Sequence, residues 1–289
     1  MNLENIFYPL NIITFNKKTV TMKKIIALLA VTVFCFQGFC QSSYTFESAV
    51  YIHDVEVSKI KRFVELYKKF TDMSLSENRK MTGHWLFRHW YGSGHTFVIY
   101  SQYNTMEDYH TDSDLAGKNI KAKIAAIEDE EEKEALEKEW KELGAFWDGH
   151  TDEIRAVPTK NGFVTVEDVD FDLPFVLAVS NYNASGDWSV LGNAFFDWAI
   201  QPEIDSGSSI AGGVSYHYMG TGREVEVWQA YKSLVDFAKA VSGDRIEQNE
   251  EARKAFWSNV EGSHEDQIYL HIGHVDLDKG IFDLAGTDK

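Results

Sequence analysis

The chain has 289 residues, of which 44% are hydrophobic and 25% are charged. This composition is typical of a globular protein and excludes a collagen-like or a disulfide-rich scaffold. There are 28 Lys and Arg residues against 45 Asp and Glu residues, which gives a formal net charge of -17 at pH 7. Such a charge repels phosphate backbones, so we expect no nucleic-acid partner.

Residues 22–40 have the pattern of a secretory signal peptide. Met22-Lys23-Lys24 and the apolar run of residues 25–36 precede two small residues, Gly38 and Cys40. The run is too short to cross a bilayer, which needs about 20 apolar residues. We therefore predict cleavage after Cys40, export to the periplasm or the cell exterior, and no integral membrane segment after cleavage.

Residues 1–21 precede this signal, so either the signal has a long upstream region or Met22 is the true start. A lipid anchor on Cys40 would require a small residue before it, where Phe39 stands. Both cysteines, Cys35 and Cys40, lie in the predicted signal peptide. The mature protein is therefore expected to contain no disulfide and no thiolate metal ligand.

After the signal, residues 41–158 form the first predicted repeat. Its elements in chain order are a strand at 44–53, a helix at 57–73, hairpin strands at 81–91 and 95–103, a helical stretch at 105–147 and a strand at 150–157. Thr105 is placed to cap the helical stretch. Gly92-Ser93-Gly94 suits the positive backbone angles of a tight turn. The order is βαββαβ.

A linker at residues 159–173 leads to the second predicted repeat, residues 174–289. Its elements are a strand at 174–182, a helix at 187–205, hairpin strands at 210–219 and 223–231, a helical stretch at 233–261 and a strand at 267–275. Ser233 and Gly220-Thr221-Gly222 occupy the same capping and turn positions as in the first half. The order βαββαβ therefore occurs again.

The two halves also match each other in sequence, which predicts a duplication. His89-Trp90-Tyr91-Gly92-Ser93-Gly94 aligns with His217-Tyr218-Met219-Gly220-Thr221-Gly222, at an offset of 128 residues. Phe146-Trp147 aligns with Phe256-Trp257 at an offset of 110, so the first half has 18 additional residues between these landmarks. They fall in the charged stretch 118–144 and are expected to lengthen one helix by about five turns.

The order βαββαβ is that of the ferredoxin-like fold. Two copies in one chain resemble the tandem members of the dimeric α/β-barrel superfamily. Within that superfamily the chain looks most similar to antibiotic-biosynthesis-monooxygenase-type and NIPSNAP-type domains. The resemblance covers essentially all of the mature chain and rests on topology and on the repeat. It implies an α+β protein in which two four-stranded sheets face each other, but the fold alone does not establish a function.

The register of the two hairpins selects a candidate site. With a two-residue turn in each, His217 faces Glu226 across the second hairpin, and His89 faces Val98 across the first. A carboxylate beside an imidazole raises the pKa of the histidine and fixes its tautomer, which suits a general base. His217 and Glu226 are therefore the candidate catalytic residues.

The strand face that carries this pair mixes aromatic and polar side chains, as small-molecule pockets do. The ligand-binding candidates on it are Trp85, His89, Tyr91, Tyr100, Ser215 and Trp228. His271 and His274 are three residues apart in a strand and are expected on opposite faces. No sequence signature of a metal site, a phosphate-binding loop or a nucleotide-binding loop occurs, and no metal is predicted.

Three functions are compatible with the sequence. The protein binds a small, partly apolar molecule without chemistry, or it resembles the cofactor-free monooxygenases, with His217 as base and Glu226 orienting it. In the third, it resembles the haem-binding branch of the superfamily, with His89 or His217 as axial ligand. The sequence specifies neither the ligand nor a cofactor, and it leaves open whether the chain forms a homo-oligomer.

Overall fold

The computed structural model describes residues 43–92, 94–167, 169–242 and 249–286, so the predicted signal peptide lies outside it. The strands are β1 (Tyr44–His53), β2 (Met81–Tyr91), β3 (His95–Tyr103), β4 (Thr151–Pro158), β5 (Val164–Thr165), β6 (Val176–Ala184), β7 (Ala211–Gly220), β8 (Val225–Tyr231), β9 (Val260–Asp276) and β10 (Ile281–Leu284). The helices are α1 (Ile60–Ser74), α2 (Met106–Ala125), α3 (Glu130–Ala145), α4 (Trp188–Phe195), α5 (Gln201–Asp205), α6 (Leu234–Val241) and α7 (Glu250–Asn259). A 3-10 turn at Val57–Lys59 precedes α1, and a π-helical turn at Phe196–Ile200 joins α4 to α5.

Eight strands close into one antiparallel barrel, in the order β9-β2-β3-β1-β4-β7-β8-β6, with β6 pairing back on β9. The strands of each half are neighbours, and the halves join along β4–β7 and β2–β9. Closure therefore occurs within a single chain and removes the open sheet edges. The predicted α+β class and barrel arrangement are confirmed.

Successive side chains of a strand point to opposite faces, so the buried side chains form one cluster inside the barrel and two clusters outside it. The barrel interior holds one cluster of buried side chains that includes Val98, Tyr100 and Tyr269. On the outside, α1, α2 and α3 cover the first half around Phe63 and Phe70, and the helices of the second half pack around Leu191 and Phe256. The helices thus leave the barrel interior to residues from the strands and from the linker.

The helical stretch of the first half consists of two helices instead of one lengthened helix. The α3 helix begins after Asp129, whose side chain accepts a hydrogen bond from the Glu132 amide at 2.9 Å. This cap, followed by acidic residues in the first turn, favours a new helix start. The prediction of a single lengthened helix is therefore wrong, although Leu136 and Leu143 of α3 still pack on the core of the first half.

The linker predicted at residues 159–173 contains a short strand and lies against the barrel. β5 pairs with the first residues of β7, Ala211 and Gly212. The backbone approaches Gly213 so closely that a Cβ atom there would lie 1.9 Å from the Gly162 carbonyl oxygen. Glycine at 213 therefore permits the linker to reach the barrel wall. None of the helices in the described ranges has the length and apolar composition needed to cross a bilayer.

Candidate functional site

A pocket in the barrel interior contains about 540 Å³ of space free of protein atoms, including its opening to solvent. Its lining is mostly aromatic and aliphatic, with a few polar groups. The lining residues are Glu47, Trp85, Phe87, Tyr100, Gln102, Phe163, Phe171, Phe175, Leu177, Val179, Ile210, Ala211, Glu226, Trp228 and Ala230.

A buried charged cluster adjoins this pocket, with Arg155 of β4 at its centre. The guanidinium donates hydrogen bonds from Nη1 to Glu153 Oε1 and from Nε to Ser215 Oγ, the second at 2.7 Å. The Arg155 Nε lies 3.9 Å from Oε1 of Glu226, which also accepts from Ser215 Oγ at 3.4 Å. Ser215 therefore links Arg155 to the carboxylate of Glu226, which lines the pocket.

Glu47 of β1 is the third carboxylate of the cluster. It lies opposite Arg155 on β4 and opposite Gln102 on β3. Gln102 Nε2 donates to Glu47 Oε2 at 3.4 Å. Cross-strand neighbours have Cβ atoms about 5 Å apart, so the register of the barrel brings Glu47 to the cluster.

Burial shifts the acid–base properties of all three glutamates. It raises the pKa of Glu47 to about 8, with the negative charge of Glu226 adding to the shift. It raises the pKa of Glu153 to about 7 and that of Glu226 above its usual range, while the positive charge of Arg155 opposes both shifts. One cation thus compensates only part of the charge of three carboxylates.

Two polar atoms in the lining have unused hydrogen-bonding capacity. Within the part of the chain that the structure describes, Glu226 Oε2 and Tyr100 Oη are buried and have no hydrogen-bond partner. Leaving a buried polar group unpaired costs about 1–3 kcal/mol, so such groups call for an explanation. A bound molecule that supplies a donor would satisfy them.

No protein-family model matches the sequence, and no curated protein sequence matches it significantly. Solved structures do match over most of the chain. An anthrone oxidase-like protein superposes with a TM-score of 0.52 at 14% identity, covering 83% of this chain and 96% of that one. A candidate monooxygenase from Fusobacterium nucleatum gives 0.53 at 9% identity, covering 80% and 94%, and one from Lactobacillus acidophilus gives 0.50 at 8% identity, covering 85% and 98%.

The chain has the dimeric α/β-barrel fold. These similarities, all at 14% identity or less, concern the fold and carry no function to this chain. The dimeric α/β barrel does explain why the site lies in the interior. The two sheets enclose a space whose walls come from both halves, here Trp85 and Tyr100 from the first and Trp228 from the second.

The predicted pairing of His217 with Glu226 is wrong. In the barrel Glu226 faces Ser215, and the backbone N–H of His217 donates to the Glu224 carbonyl oxygen at 2.9 Å. Each residue of β8 therefore faces the β7 residue two positions earlier than a two-residue turn at Thr221-Gly222 would give. The register differs because Gly220 also has a positive φ, of 92°. The His217 side chain is exposed, with Nε2 at 3.2 Å from the Gly220 carbonyl oxygen.

The first hairpin shows the same displacement, since Phe87 instead of His89 faces Val98. A displacement of two residues preserves the face on which each side chain lies. Trp85, Tyr100 and Trp228 therefore line the pocket as predicted candidates.

The remaining ligand-binding candidates lie outside the pocket lining. Ser215 contacts Arg155 and Glu226 from within the charged cluster. The two ring nitrogens of His89 lie 2.9 Å from the carbonyl oxygens of His95 and Tyr91. Tyr91 is 53% exposed. The structure thus brings half of the six ligand-binding candidates together at the pocket.

Sequence reasoning missed the charged cluster and the contribution of the linker. Glu47, Glu153 and Arg155 belong to strands outside the two hairpins, so the hairpin register could not assign them a face. A signal was present in β4, where Glu153 and Arg155 are two residues apart and therefore share a face. Phe163 and Phe171, from the segment interpreted as a plain linker, complete the pocket wall.

His271 and His274 are also placed differently from the prediction. A bulge in the pairing of β9 with β2 puts His271 opposite Phe87 and His274 opposite Trp85. The extra residue returns both side chains to one side of the strand, and their ring centroids are 5.8 Å apart. The expectation of opposite faces is therefore wrong.

The residues of the pocket do not fit haem bound through an axial histidine. Within the described ranges, the pocket lining includes no histidine. His217 is exposed, and both ring nitrogens of His89 face carbonyl oxygens. His271 is buried with its ring stacked on Phe175 at 4.3 Å, outside the lining.

Proposed function

We propose that the protein binds a small, largely apolar molecule inside the barrel, between Trp85 and Trp228, with one polar group of the ligand directed at Glu226. The observation that supports this most is the unpaired Oε2 atom of Glu226 at the wall of a mostly apolar pocket. Apolar walls with a few placed polar groups are the usual composition of small-molecule sites. On binding, the apolar part of the ligand would leave water and contact the aromatic walls, and its polar group would donate a hydrogen bond to the buried carboxylate of Glu226.

The pocket can be tested by filling it. Ala230 lines the pocket, whereas Ala178 on the neighbouring strand β6 belongs to the outer face. We expect Ala230→Leu to weaken the binding of benzyl alcohol at least tenfold, because the added side chain occupies the ligand volume. Ala178→Leu, the matched control, should change the affinity less than twofold. Isothermal titration calorimetry measures both. Equal effects of the two substitutions, or no binding by the wild-type protein, would contradict the proposal.

A second candidate function, a proton-transferring enzyme of the cofactor-free monooxygenase type, is favoured by the raised pKa of Glu226. A carboxylate in an apolar site is a stronger base than one in water, and enzymes tune such groups toward the working pH. In this version Glu226 takes the role of base that the sequence suggested for His217. Mass spectrometry of candidate ligands incubated with the protein under oxygen tests it. Turnover that is lost in Glu226→Gln supports the enzyme, and unchanged ligands support binding alone.

Export and duplication are also part of the proposal. The signal-like pattern of residues 22–40 supports export, and intact-mass measurement of the secreted protein should show an N-terminus at Gln41. The internal sequence match supports two ferredoxin-like repeats, 41–158 and 174–289. An experimental structure in which the backbones of 44–157 and 174–275 do not superpose would contradict the duplication.

A further inference from the structure

We propose that the molecule held in the barrel is a protonated amine on a small apolar body, with Glu226 as its counter-ion. This inference rests on the proposed function, since it specifies the ligand class of the same pocket. It follows from the balance of charge, from the unpaired atoms of the lining and from the aromatic walls.

The charged cluster has too little positive charge for its carboxylates. Glu47, Glu153 and Glu226 are all buried, and among the residues that the structure describes Arg155 is the one arginine or lysine that is completely buried. Its hydrogen bonds go to Glu153, to Ser215 and to the Arg223 carbonyl oxygen, and its contact with Glu226 is 3.9 Å long. A second positive charge beside Glu226 would compensate the cluster.

The unpaired Glu226 Oε2 marks where that charge would lie. Glu226 is 1% exposed, and its Oε1 is already engaged by Ser215, so Oε2 is the atom that remains to accept from a ligand in the pocket. An ammonium group has three N–H donors and forms charge-assisted hydrogen bonds, which are roughly twice as strong as neutral ones.

The walls of the pocket suit a cation with an apolar body. Seven aromatic side chains contribute to the lining: Trp85, Phe87, Tyr100, Phe163, Phe171, Phe175 and Trp228. The faces of aromatic rings attract cations, and tryptophan does so most strongly. An anionic ligand is disfavoured, because the described lining contains glutamates but neither arginine nor lysine.

Binding of an amine should release protons from the cluster. Near pH 7 the raised pKa values of Glu47 and Glu153 leave both side chains partly protonated in the empty barrel. A bound cation favours the ionised form of nearby carboxylates and therefore lowers their pKa. An alkylammonium group itself remains protonated near pH 7, as lysine does. A neutral alcohol of the same shape should release no protons.

The test compares benzylamine, benzyl alcohol and benzoate, which differ chiefly in charge, by calorimetry at pH 7. We expect benzylamine to bind at least tenfold more tightly than benzyl alcohol, and benzoate to bind more weakly than both. Repeating the titrations in buffers of different ionisation enthalpy should show proton release with benzylamine alone. In Glu226→Gln, the affinity for benzylamine should fall at least tenfold, while that for benzyl alcohol changes less than threefold.

Glu203→Gln is the matched control. Glu203 is also buried, but its carboxylate accepts from Gln229 and Tyr231 and is outside the pocket lining. Its substitution should leave the preference for the amine unchanged. If benzyl alcohol binds as tightly as benzylamine, the amine inference is wrong while the proposed function stands. If no probe binds, the proposed function fails together with the inference.

Discussion

Arg155→Met is expected to destabilise the protein by about 3–5 kcal/mol at pH 8, because removing one partner of a buried ion pair leaves the other charges uncompensated. Arg155 is 0% exposed and contacts Glu153 and Glu226, and its charge lowers the pKa of Glu47 as well. Such a loss is a large part of the 5–15 kcal/mol by which domains are typically stable. Urea unfolding of wild type and variant measures it.

At pH 5, Arg155→Met should lower the free energy of unfolding by less than it does at pH 8. Without Arg155 the folded-state pKa values of the three glutamates rise further above their unfolded values, so the folded variant gains protons and stability as the pH falls. Arg62→Met is the matched control, since Arg62 lies on the surface and pairs with Glu139 and Glu142 at 3.1 and 2.7 Å. An exposed pair contributes about 0–1 kcal/mol. A cost at Arg155 no larger than at Arg62 would show that the buried charged cluster is described wrongly.

Glu47→Gln is expected to stabilise the protein at pH 9, on the order of 3–5 kcal/mol. In wild type, burial raises the pKa of Glu47 from 4.5 to about 8. Between these values Glu47 binds more protons in the folded state than in the unfolded state, so its contribution to stability decreases as the pH rises through this window. Glutamine is neutral throughout and removes this dependence.

As the pH falls to 4.5, Glu47→Gln should have little effect on stability, because the glutamate is then protonated in the folded state and half protonated in the unfolded state. Chemical denaturation from pH 4.5 to pH 9 gives the whole curve for each protein. Glu137→Gln on the exposed side of α3 is the control and should leave the curve unchanged. A Glu47→Gln curve parallel to that of wild type would contradict the assignment.

These two predictions describe a site that reduces stability. Three buried glutamates around one arginine would be more stable as a neutral set, and buried ion pairs can often be replaced by apolar residues without loss. Groups that are unfavourable for the empty protein are commonly found at functional sites. An ammonium ligand would remove the charge imbalance and would therefore stabilise the folded barrel on binding.

The sequence predicted the strands well where alternation was strong. The bounds predicted for β1, β2 and β3 agree with those of the structure, and the repeated order of elements gave the correct barrel. Side-chain faces in the hairpins were also correct, because the displacement of the register was by two residues. That displacement separated His217 from Glu226, since local turn geometry at glycine decides the register and is not encoded in the alternation.

The charged cluster could not be predicted in the same way. Arg155 meets Glu226 only because β4 pairs with β7 and β7 pairs with β8, and the first of these pairings joins the two halves. The alternation of polar and apolar residues assigns a side chain to one face of a strand. It does not show which residue of the other half will lie beside that side chain. The bulge that brings His271 and His274 together is likewise a local irregularity of β9.

The position of a bound amine in a crystal structure would show whether the barrel interior is the binding site. Crystals grown with 4-bromobenzylamine would reveal the bromine by its anomalous scattering. We expect one bromine site inside the barrel, among Trp85, Phe175 and Trp228, and the ammonium group within about 3 Å of the Glu226 carboxylate. A bromine site in the outer cleft lined by Tyr182, Trp198 and Phe237, with the barrel interior free of ligand, would contradict the assignment of the pocket.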